Sequence, residues 1–170
     1  MIQLTQTSYV VLGLVAQAGE ATPYDLKQIV AATVGTFFSI PHSQLYAEPE
    51  RLASAGYLDE RREQTGRRRK HYTITQKGRA ALKDWLRTPT EELYELRDPG
   101  LLKLAFGADA QTLARVQLSA HEERLDQLRR LATTLKTAGV TEEQLLVLEA
   151  GIGHSREYVR FWKKLAVSGA

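Results

Sequence analysis

Apolar residues in the first third of the chain recur at helical spacing, and residues that start or stop helices interrupt them. Residues 7–17 are mostly apolar and long enough for one helix, with Gly19 placed to close it. Thr22 followed by Pro23 predicts the start of a second helix, because threonine caps free amide groups and proline fits the first turn. Gly35 is expected to end that helix.

A third helix is predicted after a short connection. Ser39 or Ile40 is expected to cap it, and Leu45 and Leu52 lie on its inward face. Gly56 is well placed for the left-handed conformation that often follows a helix, because glycine has no side chain to oppose it. The third helix is therefore expected to end just before Gly56.

The pattern then changes from helical to strand-like. Residues 58–74 contain two short runs of strand-forming residues around a turn at Thr65 and Gly66, which predicts a β-hairpin. Thr75 is expected to cap a fourth helix, which Pro89 stops. A helix followed directly by a hairpin is the layout of a winged helix-turn-helix, so we expect such a domain in residues 1–87.

The second half of the chain contains two long helical patterns separated by Gly139. An acidic linker is predicted at residues 88–99, and residues 100–170 are predicted to form a helical dimerisation domain. Apolar residues three and four positions apart form a stripe along each helix, and such stripes favour pairing between helices. The stripe residues predicted to form the dimer are Leu118, Leu125, Leu128, Leu148, Ile152 and Val159. A single chain can also bury such stripes internally, but stripes of this length more often indicate dimerisation.

The predicted fold is therefore mainly α-helical, with a winged helix-turn-helix, a small β-hairpin wing and a C-terminal helical dimerisation domain. The 170 residues include no cysteine, which excludes disulfides and thiol catalysis. No apolar run approaches the roughly 18 residues of a transmembrane helix. The N-terminus also lacks the pattern of a signal peptide, so we expect a cytoplasmic protein without membrane contact.

The positive charge is concentrated in the predicted winged domain. Residues 1–87 hold 12 Lys and Arg against 8 Asp and Glu, whereas residues 88–170 hold 11 against 12. Six of the ten residues 61–70 are cationic, and only Glu63 opposes them. Such a local basic patch favours nucleic-acid binding more than the net charge of +3 does.

Candidate DNA contacts lie on the predicted hairpin and on the third helix. Arginine pairs with phosphate and fits narrow minor grooves, so a basic hairpin tip suits the DNA backbone. Glutamine can read adenine, while serine and tyrosine hydroxyls bind phosphates. The predicted DNA-binding residues are Ser43, Gln44, Tyr46 and Arg51 on the helix and Arg67, Arg68, Arg69 and Lys70 on the hairpin.

Several short motifs together resemble the PadR family of bacterial transcriptional regulators. They are Ser43-Gln44-Leu45-Tyr46, Arg51-Leu52, Gly56-Tyr57-Leu58, Gly66-Arg67-Arg68, Tyr72-Thr73-Ile74-Thr75, Gly78-Arg79, Leu82 and Trp85-Leu86. The resemblance covers roughly residues 8–106, and the two-helix C-terminal half is similar to the longer members of the family. It implies a homodimeric repressor of a palindromic operator in double-stranded DNA, whose effector is a small organic molecule such as a phenolic acid.

The chain departs from this family at Pro49, where members usually carry leucine. A proline there removes the hydrogen bond to the Leu45 carbonyl, so we expect a bend in the third helix.

An effector site is predicted on the last helix, where aromatic rings and cations lie close in sequence. His154, Tyr158 and Trp162 are the candidate effector-binding residues, because imidazole and aromatic rings can hold a planar anion. A histidine buried in a helix contact is the alternative for His154.

Enzyme motifs are not found. His121-Glu122-Glu123-Arg124 is not a zinc motif, because the second histidine of that motif is absent. The sequence also holds no nucleophile elbow and no phosphate loop. We therefore expect no catalytic residues, no metal and no cofactor. Two alternatives to a PadR-like repressor are open: a winged-helix protein–protein module whose basic wing binds an acidic partner, and a MarR-like regulator.

Overall fold

The computed structural model describes residues 2–65, 68–93 and 95–167, without the side chains of Ala32, Thr36 and Ala138. The chain divides into two compact units, Met1–Glu92 and Leu93–Ala170. The predicted linker, residues 88–99, spans the boundary between them.

The first unit, within the described residues, combines four α-helices with a three-stranded antiparallel sheet. In chain order its elements are α1 (Gln6–Ala18), β1 (Glu20–Ala21), α2 (Pro23–Ala32), a 3-10 turn (Val34–Thr36), α3 (His42–Ser54), β2 (Leu58–Arg62), β3 (Lys70–Ile74) and α4 (Gln76–Arg87). The helix-turn-helix is formed by α2 and α3, and the wing is formed by β2 and β3.

The helix ends follow local sequence signals in most places. The Thr22 side chain accepts a hydrogen bond from the Asp25 amide, and the Thr75 side chain accepts one from the Gly78 amide. Gly56 has a φ of 76°, and the amide of Tyr57 bonds back to the Leu52 carbonyl, as in a Schellman ending. These three predicted boundaries are confirmed.

Two boundaries were predicted wrongly. Helix α2 ends at Ala32 rather than at Gly35, because a 3-10 turn replaces its last predicted turn. Helix α3 is capped by Pro41 rather than by Ser39 or Ile40, and Pro41 provides no side-chain hydrogen bond. Pro41 still fits there, because proline has the extended φ that a cap requires.

Pro49 lies inside α3, which is assigned as one helix from His42 to Ser54. Its ring is buried on the inward face of the helix together with Leu45 and Leu52. The apolar ring therefore contributes to the core at the position where it removes a backbone hydrogen bond.

The sheet places β3 in the centre, between β1 and β2. The predicted hairpin is confirmed, with Leu58 opposite Ile74 and Arg62 opposite Lys70. Strand β1 was not predicted; it pairs Ala21 with Tyr72.

One apolar core holds the first unit together. Tyr72 from the central strand is fully buried in it, and residues of all three α-helices before the wing contribute. The core residues are Val11, Leu12, Leu14, Val15, Ala21, Leu26, Val30, Ile40, Leu45, Leu52, Tyr57, Leu58, Tyr72 and Ile74. Helices α1 to α3 and the wing are thus built around the same core.

Gly78→Ala is expected to destabilise the first unit by about 1–3 kcal/mol, because the new methyl group enters a filled space. A Cβ at this position would collide with the Tyr57 carbonyl oxygen and lie 2.9 Å from Ile74 Cγ1. Denaturant unfolding measures the change. Gly153→Ala on the last helix is the control, since nothing lies within 4 Å of its Cβ position. It should stabilise by up to about 1 kcal/mol; equal gains for both variants would contradict the close packing of Gly78.

The second unit consists, within the described residues, of α5 (Pro99–Ala105), α6 (Ala110–Ala138) and α7 (Glu142–Val167). Helices α6 and α7 pack along each other, and Gly139 ends α6 in the left-handed conformation, with φ 71° and ψ 36°. Among the described helices, none is both long and apolar enough to cross a membrane.

Candidate nucleic-acid interface

Helix α3 exposes one polar face and buries the opposite one. Leu45, Pro49 and Leu52 lie in the core, whereas Ser43 and Tyr46 are exposed. The Tyr46 side chain is 49% exposed although it is a large aromatic, so it is available to a partner. The predicted contacts Ser43 and Tyr46 thus share an accessible face.

Gln44 lies at the edge of that face and is held from α1. The Thr7 hydroxyl donates a hydrogen bond of 3.1 Å to the side-chain oxygen of Gln44. This bond occupies one lone pair of the amide oxygen and orients the group. Gln44 is nevertheless exposed, so its side chain can make the predicted contact with a base without any rearrangement of α3.

Arg51 is engaged by hydrogen bonds with other residues of the protein. Its Nε and Nη2 bond the two carboxylate oxygens of Glu48 at 2.8 and 2.6 Å, and Nη2 also bonds the Ser8 hydroxyl at 3.0 Å. Burial acts to raise the pKa of Glu48, but hydrogen bonds from Arg51 and Ser8 outweigh it and lower that pKa. The predicted contact between Arg51 and DNA stays a prediction, and it would compete with these bonds.

The wing is organised by Glu63, the single acidic residue near its tip. The Glu63 carboxylate accepts hydrogen bonds from the amide and the Nε of Arg69, each at 3.3 Å, and lies 3.1 Å from His71 Nε2. The bonds from His71 and Arg69 lower the pKa of Glu63 to about 2. A carboxylate that stays ionised therefore holds the two sides of the wing together near its tip.

The tip of the wing exposes Arg68. Arg68 has a φ of 49°, which is unusual for a residue with a side chain, and it forms no ion pair with any described residue. Gly66 and Arg67 lie outside the described residues. Arg68 is therefore an exposed cation of the wing that no described carboxylate pairs, so it is accessible to phosphate.

Lys70 joins the wing to the exposed face of α3. Its ammonium lies 2.9 Å from a carboxylate oxygen of Glu50 on α3 and 3.4 Å from one of Glu60 on β2. The Tyr72 hydroxyl also donates to Glu60, at 3.1 Å. The Lys70 ammonium thus connects the wing to α3, which is the recognition helix because it is the second helix of the helix-turn-helix. Lys70 is therefore not simply a solvated cation.

Further carboxylates neutralise part of the basic patch. Arg61 pairs with Glu20 of β1 at 2.9 Å, and Arg62 pairs with Glu60 at 2.7 Å. In the sequence, Glu60 and Arg62 lie two positions apart on β2, a spacing that places them on one face of the strand and signals the second pair. The role of Glu20 was missed, because it depends on the unpredicted strand β1.

The candidate effector residues lie on α7. The Tyr158 ring stacks on His154 at a centroid distance of 4.9 Å and lies 4.6 Å from the ring of His121 on α6. Burial lowers the pKa of His121, while the charge of Asp98 opposes the shift. Trp162 is fully buried, and its Nε1 has no hydrogen-bond partner among the described residues.

An open groove of about 540 Å³ runs beside this aromatic group. Its lining residues are Leu101, Glu157, Tyr158, Arg160, Phe161 and Lys164. Of the three predicted effector residues, Tyr158 lines the groove, while His154 and Trp162 are not among its lining residues. Phe161 and Lys164 were missed, although Phe161 lies about one helical turn after Tyr158 and Lys164 about one turn after Phe161.

The predicted dimer residues lie on the faces where α6 and α7 pack together. Leu125, Leu128 and Leu148 are buried in the single chain, and Leu118, Ile152 and Val159 are partly buried. These residues thus fill the interior of one helical pair, as the internal alternative predicts. Their role in a dimer stays a prediction, and apolar residues that remain exposed are better placed for a contact between chains.

Comparison with known proteins connects this geometry to a family. Residues 11–84 match the transcriptional regulator PadR-like family. The negative transcriptional regulator PadR of Bacillus subtilis (strain 168) is 30% identical over 128 residues, which cover 71% of this chain and 70% of that protein.

Solved structures are similar over nearly the whole chain. The structure of Bacillus subtilis PadR in complex with operator DNA has a TM-score of 0.85 and 25% identity, covering 99% of each chain. The same regulator in complex with p-coumaric acid has a TM-score of 0.76 and 26% identity, covering 95% of this chain and 96% of that one. A PadR-like regulator from Bacillus cereus shares the fold, with a TM-score of 0.82 at 24% identity over 96% and 97% of the two chains.

Three observations agree with one another. They are the winged unit with its exposed helix α3, the helical pair of α6 and α7, and the similarity to a PadR regulator over two thirds of both chains. The family match favours PadR over the MarR-like alternative. The chain belongs to the PadR-like family of transcriptional regulators.

Proposed function

We propose that the chain is a repressor that binds a palindromic operator as a homodimer and is released by a small aromatic carboxylate. The observation that most directly supports DNA binding is the connection between α3 and the wing. Lys70 bonds Glu50 on α3, so the exposed face of the helix and the cationic hairpin form one surface. Such a surface suits a helix in the major groove with the wing on the adjacent backbone. Bacillus subtilis PadR, the relative seen with operator DNA, supports this proposal.

Ser43, Gln44 and Tyr46 are the proposed contacts of the helix, and Arg67, Arg68 and Arg69 those of the wing. Selection of duplexes from a randomised pool by the wild-type protein tests the proposal. We expect a two-fold symmetric motif whose half-sites lie about 34–36 Å apart or a multiple of that distance. If the wing instead binds an acidic protein partner, no duplex sequence will be enriched.

The homodimer is proposed to use apolar residues that the single chain leaves exposed. Val116 on α6 is 65% exposed and Leu146 on α7 is 57% exposed, and Val147 lies next to Leu146. Neighbouring exposed apolar residues such as Leu146 and Val147 favour a contact with another copy. A dimer also supplies the two-fold symmetry that a palindrome requires.

The effector is proposed to bind in the groove beside Tyr158. Tyr158 and Phe161 offer aromatic surfaces, and Arg160 and Lys164 bring positive charge for a carboxylate. Arg160 also pairs with Glu157. The p-coumaric acid complex of Bacillus subtilis PadR supports this class of ligand. Release requires that the ligand favour the conformation with the lower affinity for DNA.

Phe161→Ala should leave duplex binding intact but raise the p-coumaric acid concentration needed for release roughly three- to tenfold, the value of one aromatic contact. Titration of the bound, selected duplex with p-coumaric acid measures the shift, and hexanoic acid tests whether the ring is needed. Phe106→Ala is the control, because Phe106 lies in the same unit, is 84% exposed and does not line the groove. Equal responses of both variants and wild type would place the effector elsewhere. Trp162→Ala is a poorer test, since loss of a fully buried tryptophan costs about 3–5 kcal/mol of stability.

A further inference from the structure

A buried polar cluster connects the first turn of α1 to the recognition helix. The Ser8 side chain is fully buried, and its hydroxyl donates a 2.6 Å hydrogen bond to Glu48 on α3. The same oxygen accepts bonds from the Thr5 amide at 2.8 Å and from Arg51 Nη2 at 3.0 Å. The Thr5 hydroxyl also lies 3.2 Å from this oxygen. A serine hydroxyl has one proton and two lone pairs, so the bonds with Glu48, Arg51 and the Thr5 amide already use its full capacity.

The guanidinium of Arg51 also uses most of its N–H groups within this cluster. Its Nε gives one hydrogen bond to Glu48, Nη2 gives one each to Glu48 and Ser8, and Nη1 gives one of 3.2 Å to the Gln3 carbonyl. An arginine side chain has five N–H groups, and four are thus engaged. The Glu48 side chain is only 12% exposed, so the paired carboxylate is largely shielded from water. A phosphate could recruit Arg51 fully only by breaking these bonds and leaving Glu48 unpaired.

The cluster is placed to fix the orientation of α3. Thr7 and Ser8 are neighbours on α1, and they bond Gln44 and Glu48, which lie one helical turn apart on α3. Arg51 follows on the same side of the helix. Because Pro49 removes a main-chain hydrogen bond within this stretch, side-chain bonds across α1 and α3 supply a restraint that the helix itself lacks there.

We infer that Ser8, Glu48 and Arg51 are positioning residues that set the angle of the recognition helix, and that Arg51 acts through Glu48 rather than by touching DNA. This inference rests on the proposed DNA-binding function. Base recognition depends on the placement of Gln44 and its neighbours, whereas attraction to phosphates depends mainly on charge. Loss of the cluster should therefore reduce specificity and leave non-specific affinity in place.

The test compares Arg51→Lys, Glu48→Gln and Ser8→Ala with wild type on two duplexes. One is the duplex that wild type selects from a randomised pool, and the other is a scrambled duplex of the same length and composition. Each variant should bind the selected duplex about tenfold more weakly, the discrimination typical of one base contact. Affinity for the scrambled duplex should not fall for any variant, and the slope of affinity against salt should not change for Arg51→Lys and Ser8→Ala, which keep the charge. Circular dichroism melting checks that each variant is folded at the assay temperature.

A direct phosphate contact by Arg51 predicts the opposite pattern and would overturn the inference. Arg51→Lys would then bind almost as wild type, because the cation is kept, and Glu48→Gln would tighten binding to both duplexes by releasing Arg51. The two partially exposed sites, 48 and 51, keep the test informative if Ser8→Ala does not fold. Arg129→Gln is the matched control, since Arg129 forms an i,i+3 pair with Asp126 on α6 and should affect neither duplex. Failure of wild type to select any duplex would refute the proposed function instead.

Discussion

Replacing Arg67, Arg68 and Arg69 together by alanine should weaken binding to every duplex on the order of 100-fold at about 0.15 M salt. Each phosphate contact contributes about 0.9 to the slope of log affinity against log salt, so three lost contacts should reduce that slope by up to about three. Arg68 is exposed at the tip of the wing, and Arg69 is 63% exposed although it pairs with Glu63. Fluorescence anisotropy across a salt series measures affinity and slope together.

The control for the wing removes the same charge from another surface. Arg129, Arg130 and Lys136 are exposed on α6, and their replacement by alanine also takes away three cations. That variant should keep the wild-type slope, because no proposed DNA contact is lost. An unchanged slope in the wing variant, or equal losses in both, would show that the wing does not bind the backbone.

Leu148→Glu should destabilise the helical unit by several kcal/mol, because the new carboxylate replaces a side chain that is only 7% exposed between α6 and α7. The first unit has its own core, so it should stay folded. Trp85 and Trp162 report on the two units separately, since one lies in each. In a Trp85→Phe background, the remaining Trp162 fluorescence should show the unfolding in denaturant.

Leu146→Glu is the matched substitution on the same helix, two residues away and 57% exposed. At protein concentrations where wild type is also dissociated, it should change the unfolding free energy of the helical unit by less than about 0.5 kcal/mol, as surface changes usually do. Sedimentation of this variant should show monomer if Leu146 belongs to the proposed contact between chains. Equal destabilisation by both changes would contradict the burial of Leu148 within one helical pair.

Local signals in the sequence predicted most of the first unit. Thr22, Thr75 and Gly56 act through their own backbone or side chain within a few residues, so their effect does not depend on distant packing. The β-hairpin was predictable for the same reason, since both strands and the turn are contiguous. Strand β1 has only two residues, Glu20 and Ala21, and such a length carries no alternation to detect.

The ion pairs and hydrogen bonds around the predicted DNA contacts could not be predicted from the sequence in this way. Lys70 and Glu50 are 20 positions apart, and Ser8 and Arg51 are 43 apart, so folding alone brings each pair together. The sequence shows a run of cations, but only the structure shows which carboxylates face them.

The apolar stripes illustrate a different limit. The spacing of apolar residues places Leu125 and Leu148 on the inward faces of their helices. That spacing is the same whether the facing helix belongs to the same chain or to a second chain. The structure fills the space between α6 and α7 from a single chain. It thereby directs the proposed contact between chains to exposed residues such as Leu146.

The central claim is that α3 and the wing together recognise a specific DNA sequence. The most direct measurement is the affinity of wild type for the duplex selected from a randomised pool, divided by its affinity for a scrambled duplex, at about 0.15 M salt. Specific regulators bind their sites at least about 1,000-fold more tightly than other DNA. We predict a ratio of that order, with both affinities falling as salt rises. Equal affinity for the two duplexes, or no salt-dependent binding to either, would contradict the account.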